Sequence, residues 1–113
     1  MGVLSISPTE MDHCIELCIK CARACSECKT ACLKEPDVQA RVHCIQMMQD
    51  CSDICFQAVA LMSRNSTMSK EICELCAEIC EACASHCEQF QDDHCQECAK
   101  VCRECAEACR NMA

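Results

Sequence analysis

Residues 73–87 read CELCAEICEACASHC, with cysteines at Cys73, Cys76, Cys80, Cys83 and Cys87 in alternating steps of three and four. An α-helix turns once in about 3.6 residues, so steps of this average length carry every one of these side chains to a single face. Residues 95–109, CQECAKVCRECAEAC, repeat the frame, and residues 18–32, CIKCARACSECKTAC, repeat it again. The residues between the cysteines are mostly Glu, Ala, Lys, Gln, Met and Leu, which are good helix formers. One glycine, two prolines and two aromatics in 113 residues exclude a turn-rich β protein. The fold class is all-α.

Capping and breaking residues divide the chain into four helices. Ser7-Pro8-Thr9-Glu10 offers a cap at Ser7, a proline at the first helical position and a capping box closed by Glu10, which predicts a first helix running to about Lys34. Pro36 restarts the chain for a second helix over 37–63. Asn65 and Ser66 break it again before a third over 67–89. Asp93, with Gln96 three residues on, caps a fourth over 94–112. Short loops between helices of similar length imply antiparallel neighbours, hence one domain, residues 1–113, built as an up-down-up-down four-helix bundle with a cysteine-lined core.

The seams are Cys14, Cys18, Cys21, Cys25, Cys28 and Cys32 on the first helix and Cys44, Cys51 and Cys55 on the second. The third carries the five quoted above, and the fourth Cys95, Cys98, Cys102, Cys105 and Cys109. On the second helix Met47 and Met48 fall in the gap between Cys44 and Cys51, and the sequence reading leaves open which of them faces inward. Cys14 to Cys32 covers about 27 Å of helix, so the interior is expected to be a tube lined with sulfur along its length.

Nineteen cysteines are an odd number and suit a disulfide framework poorly. Helical neighbours three or four apart are also farther apart at Cβ than a disulfide allows. Packing alone explains them no better, since a cysteine buries little apolar area beside a leucine. Metal binding remains. Zinc in four-thiolate sites would leave a net −2 at each, and no Lys or Arg is expected on the seams to offset it. The ferredoxin run C-x2-C-x2-C-x3-C-P is absent, because no cysteine precedes a proline. Copper(I) is soft, monovalent and content with few ligands, so one ion per thiolate keeps the interior neutral. A two-coordinate ion would span about 4.6 Å between sulfurs, taking a bond of about 2.3 Å as for zinc–thiolate.

Each histidine immediately precedes a cysteine at a helix end. His43, His86 and His94 fall at one end of the bundle and His13 at the other, together with Met11, Met62 and Met112 and with Met68 nearby. Imidazole and thioether both bind copper, so these residues join the candidate ligands, and the methionine-bearing end is expected to be the port. Off the seams, Ile72, Leu75, Ile79 and Ala82, with Ile45, Ile54 and Leu61, make a surplus apolar stripe that suits either a subunit interface or a broader core.

A net charge of −8 disfavours nucleic acid and anionic membranes. No apolar run reaches the length of a membrane span. The N-terminal MGVLSISPTE lacks the basic and apolar regions of a signal peptide, which predicts a cytoplasmic location where thiols stay reduced.

The stretches KEICELCAEICEACASHC (70–87) and HCQECAKVCRECAEACRNM (94–112), with no export signal before them, make the chain resemble the cytosolic branch of the bacterial copper storage proteins. The resemblance implies a homotetramer of four-helix bundles holding many Cu(I) ions on the core cysteines. It also implies storage and protection from free copper, without catalysis, and delivery by a copper chaperone is a natural complement. The rival functions are a zinc or general metal buffer, a thiol redox protein, and an iron–sulfur electron carrier.

Overall fold

The computed structural model describes residues 9–112. Four α-helices follow one another: α1 (Glu10–Leu33), α2 (Val42–Ser63), α3 (Ser69–Cys87) and α4 (Asp93–Met112). A single 3-10 turn, Val38–Arg41, leads into α2. The helices are those that the cysteine rhythm predicts, and the bundle measures 47 × 21 × 18 Å.

The helix starts differ from the expected ones for local reasons. Thr9, in extended conformation, caps α1 by accepting the Asp12 N–H on its hydroxyl at 3.1 Å. The proposed cap Ser7 and first-turn Pro8 lie outside the described residues. Glu10 and Asp12 occupy the first turn, where the helix dipole favours negative charge. The chain restarts after Pro36 as expected, but the first turn is 3-10, so α2 begins at Val42 and not at residue 37. Asn65 adopts φ 53°, a left-handed turn that asparagine tolerates. α3 starts at Ser69, two residues late, because Ser66 ties the turn by accepting the Met68 N–H and both the backbone and hydroxyl of Ser69. At α4 the cap is Asp92, one residue before the expected Asp93, with its carbonyl accepting from Cys95 and Gln96. The Gln96 side chain turns back to donate to the Phe90 carbonyl at 2.6 Å.

Each helix packs on two neighbours. α1 lies against α2 and α4, and α3 against α2 and α4, while the diagonal pairs keep their backbones apart. The sulfur contacts show the antiparallel order: Cys14 meets Cys109 and Cys32 meets Cys95, and likewise Cys44 meets Cys87 and Cys55 meets Cys76. Beside the seams Ala22, Ala77, Ala84, Ala99 and Ala106 are buried, as is Ala58 on the α2 seam itself, and these small side chains let the helices approach closely. Ser52 is buried there too, donating to the Ala22 carbonyl at 3.1 Å and pairing with Ser26 at 2.9 Å across α1 and α2. The expected surplus stripe divides: Ile45, Ile54, Ile72 and Ile79 pack on the core, whereas Leu75 stays 46 % exposed.

Candidate metal centre

All nineteen cysteines are buried and all are free thiols. Their sulfurs lie side by side along the axis of the bundle. From one end the nearest pairs run Cys14–Cys109 (3.7 Å), Cys109–Cys18 (3.7 Å) and Cys18–Cys105 (3.6 Å). In the middle come Cys55–Cys80 (3.9 Å), Cys80–Cys51 (3.6 Å), Cys51–Cys21 (3.8 Å), Cys21–Cys102 (3.8 Å) and Cys102–Cys25 (3.6 Å). Toward the other end Cys25 lies 3.8 Å from Cys98, and Cys28 and Cys32 lie 3.9 and 3.7 Å from Cys95. Cys25 also reaches Cys83 on the diagonal helix at 3.9 Å, so the sulfurs meet across the axis although those two backbones do not.

Neighbouring sulfurs are closer than the 4.6 Å expected for a linear two-coordinate ion. With a bond of about 2.3 Å, a spacing near 3.8 Å corresponds to a bent angle of about 110°. Wider gaps exist as well, because the ligand atoms group into sets lying within 4.8 Å of one another. Such sets include Cys18–Cys76–Cys105–Cys109, Cys21–Cys55–Cys80–Cys105 and Cys21–Cys25–Cys51–Cys102. At one end lies Cys14–Cys73–Cys109, and at the other Cys28–Cys32–His94–Cys95. Cys21 and Cys105 each belong to two quartets, and Cys109 to a quartet and a triplet. Metal ions filling these sets must therefore share sulfurs, and a bridging thiolate suits an ion of low charge and low coordination number.

The ends carry the other expected ligands, and they differ. Met62 is buried, with Cys73 Sγ 3.6 Å from its thioether sulfur, and Met11 and Met112 are half-buried against the core beside it. Met68 and His13 are exposed. At the opposite end His94 is half-buried, with Nδ1 3.4 Å from Cys28 Sγ and 3.5 Å from Cys95 Sγ, while Nε2 lies 3.2 Å from the Glu35 carboxylate. His86 is half-buried and His43 exposed. Of the two methionines in the α2 gap, Met48 is fully buried in the core and Met47 lies at its edge.

One expectation fails. A cation does stand on a seam: Arg41, 5 % exposed, brings Nη1 to 3.6 Å from both Cys32 Sγ and Cys95 Sγ. Its guanidinium is held by Asp37 at 2.7 Å and Asp92 at 2.6 Å and stacks 4.5 Å from the Phe90 ring centroid. Its own charge is matched by those two carboxylates, so it offers no spare charge for a row of zinc tetrathiolates. Asp37 first and then Asp92 raise its pKa above the ordinary arginine value. The cluster clamps the α1–α2 connection to the α3–α4 loop. Replacing Arg41 with Met, which keeps the length but not the charge, should cost about 2 kcal/mol, or roughly 10 °C in Tm, after allowance for the half-exposed Asp37. Circular dichroism melting of the metal-free variant checks this, and an unchanged midpoint would show that the clamp contributes nothing to stability.

Inside the tube the thiols divide: hydrogen bonds from neighbouring thiols lower some, such as Cys51 beside Cys102 and Cys105 beside Cys109, while others are raised and keep their protons. Cys95 is pushed up to about 12, by burial first and then by the Cys32 thiol, against a smaller downward pull from Arg41. Cys25 is raised by its hydrogen bond with Cys102 first, then by Cys21, Cys51 and Cys83. Binding of a cation to such a thiol must expel its proton.

A family model described as copper storage protein matches residues 7–113. The cysteine-rich protein YhjQ of Bacillus subtilis is 51% identical over 102 residues, covering 90% of this chain and 94% of that protein. The fold is similar to the Cu(I)-bound copper storage protein BsCsp3, with a TM-score of 0.88, 50% identity, and 93% and 99% of the two chains covered. It is likewise similar to the copper storage protein Ccsp from Streptomyces lividans loaded with 10 copper equivalents, with a TM-score of 0.90, 34% identity, and 96% and 93% covered.

Proposed function

The chain belongs to the copper storage protein family, and from that premise we propose that it is a store that takes Cu(I) into its core and keeps it from the surrounding solution. The observation that carries the reading is the row of sulfurs along the axis, in runs with contacts of 3.6–3.9 Å and with members common to adjoining sets that lie within 4.8 Å of one another. One thiolate per ion leaves the stack neutral, whereas divalent ions in separate tetrathiolate sites would need four private sulfurs each.

The proposed ligands are the nineteen cysteines, joined by the His94 imidazole and the Met62 thioether, each of which touches a thiol. Met11, Met112 and His13 at one end, and His43 and His86 at the other, complete the proposed set. Residues 1–113 act as one storage domain and hold copper without catalysing a reaction on it. The cytoplasm is the proposed location, with a copper chaperone as donor. Association into a homotetramer would cover apolar side chains such as Ile19, Leu33, Phe56 and Leu75, each 46–54 % exposed. No helix among the described residues is long and apolar enough to cross a membrane.

Anaerobic titration with Cu(I) and with Zn(II), each against a chelator of known affinity, tests the reading. Cu(I) should saturate near about one ion per cysteine, with about one proton released per ion at pH 7. Because protons compete for the same sulfurs, affinity should fall as pH is lowered. Saturation at four or five ions of Zn(II), held more tightly than Cu(I), would make the chain a zinc buffer instead.

A further inference from the structure

Sixteen of the nineteen thiols have no exposure to solvent. The remaining three, Cys28 at 3 % and Cys44 and Cys98 at 2 %, all lie at the end where α1 finishes and α4 begins. Two of them, Cys28 and Cys98, open onto a cavity of about 180 Å³ between α1 and α4. Its other walls are Ala24, Glu27, His94 and Glu97. The volume is several times that of one water molecule, enough for an ion with small accompanying ligands. Glu27 and Glu97 are exposed at its rim.

Among the described residues the axial approaches are obstructed. At the same end, the Arg41 guanidinium sits 3.6 Å from Cys32 and Cys95, fixed by two carboxylates and a ring, and stands over those two sulfurs. At the far end Cys14, Cys73 and Cys109 are completely buried, and Met62 lies against Cys73.

We propose that Cu(I) passes into and out of the tube sideways, between α1 and α4, through this cavity, with Glu27 and Glu97 drawing the cation in and His94 handing it to Cys28. The proposal rests on the Cu(I) storage reading, and it moves the port away from the methionine-bearing end that the sequence suggested. Past the cavity the sulfurs continue inward without a gap, from Cys98 to Cys25 at 3.8 Å, then to Cys102 at 3.6 Å and Cys21 at 3.8 Å. An ion can therefore be passed from thiolate to thiolate by exchanging one sulfur at a time.

Stopped-flow uptake by the metal-free protein, supplied anaerobically with Cu(I) as its cationic acetonitrile complex and followed by thiolate-to-copper absorbance, tests the port. The double change Glu27→Lys and Glu97→Lys should slow uptake about tenfold at low salt. The same protein should take Cu(I) faster than the parent from an anionic bis-sulfonated chelator complex, an inversion that a folding defect cannot produce. Ala24→Leu, which fills the cavity, should slow both donors by at least as much. Should Ala24→Leu fail to fold, the charge pair, on exposed positions, decides alone. Parent-like rates in the charge variant with both donors would overturn the port. So would a larger slowing by Met11→Leu with Met112→Leu than by Ala24→Leu. If the unsubstituted protein binds no copper, the storage reading falls and the port falls with it; normal saturation with unaltered rates in the variants removes the port alone.

Discussion

Loading the metal-free protein with Cu(I) should raise its Tm by tens of degrees. Cysteine, alanine and two methionines make up most of the buried apolar side chains, and these bury far less hydrocarbon than leucine or phenylalanine would. The metal-free bundle is therefore held by a thin core, helix capping and the Arg41 clamp. Each ion bound only by the folded chain adds about 4 kcal/mol when its free concentration is a thousandfold above its dissociation constant. A domain of this size shifts its midpoint by about 4–8 °C per kcal/mol, so even a handful of sites exceeds 20 °C. Calorimetry on samples carrying increasing copper should show the transition climbing with occupancy. Metal-free and loaded protein melting together would exclude the core as the binding site.

The second large effect concerns the sulfurs that serve two sets. Cys21 and Cys105 each stand in two quartets, whereas Cys44 lies near one end beside Cys87. Replacing Cys105 or Cys21 with Ala should lower copper capacity by about two ions per chain, against about one or fewer for Cys44→Ala, because a bridging sulfur serves more than one ion. The two central changes made together should interrupt the ladder and divide the store into two halves. Metal analysis after desalting gives the counts. Equal losses at Cys105 and Cys44 would mean that the sulfurs are not shared.

Much of this architecture was legible because one residue type marks one face. Nineteen cysteines at alternating steps of three and four gave the four helices, their antiparallel order and the buried sulfur axis, and all nineteen are where the rhythm put them. The helix starts were less legible. Thr9 and Asp92 hold the capping positions expected at Ser7 and Asp93, Ser66 ties the turn before α3, and only the three-dimensional hydrogen-bonding partners decide. Arg41 was less legible because an arginine in register with a seam reads as a solvated side chain unless its carboxylate partners are known. Yet α2's own frame, stepped back by three from Cys44, lands on Arg41, and stepped forward by four it lands on Met48, which resolves the choice against Met47. The same extension from Cys32 reaches Glu35, the partner of His94. The cavity between α1 and α4 has no counterpart in any linear pattern, since it depends on Ala24 being small opposite His94.

The sharing of sulfurs between adjoining sets carries one more consequence. A row of isolated pockets would be a set of lockers, each ion retrievable only from its own. Here a vacancy made anywhere can be filled by its neighbour and so migrate through the stack, and the ions form one common pool in which arrival order is forgotten. Withdrawal at a single opening can then drain the whole length.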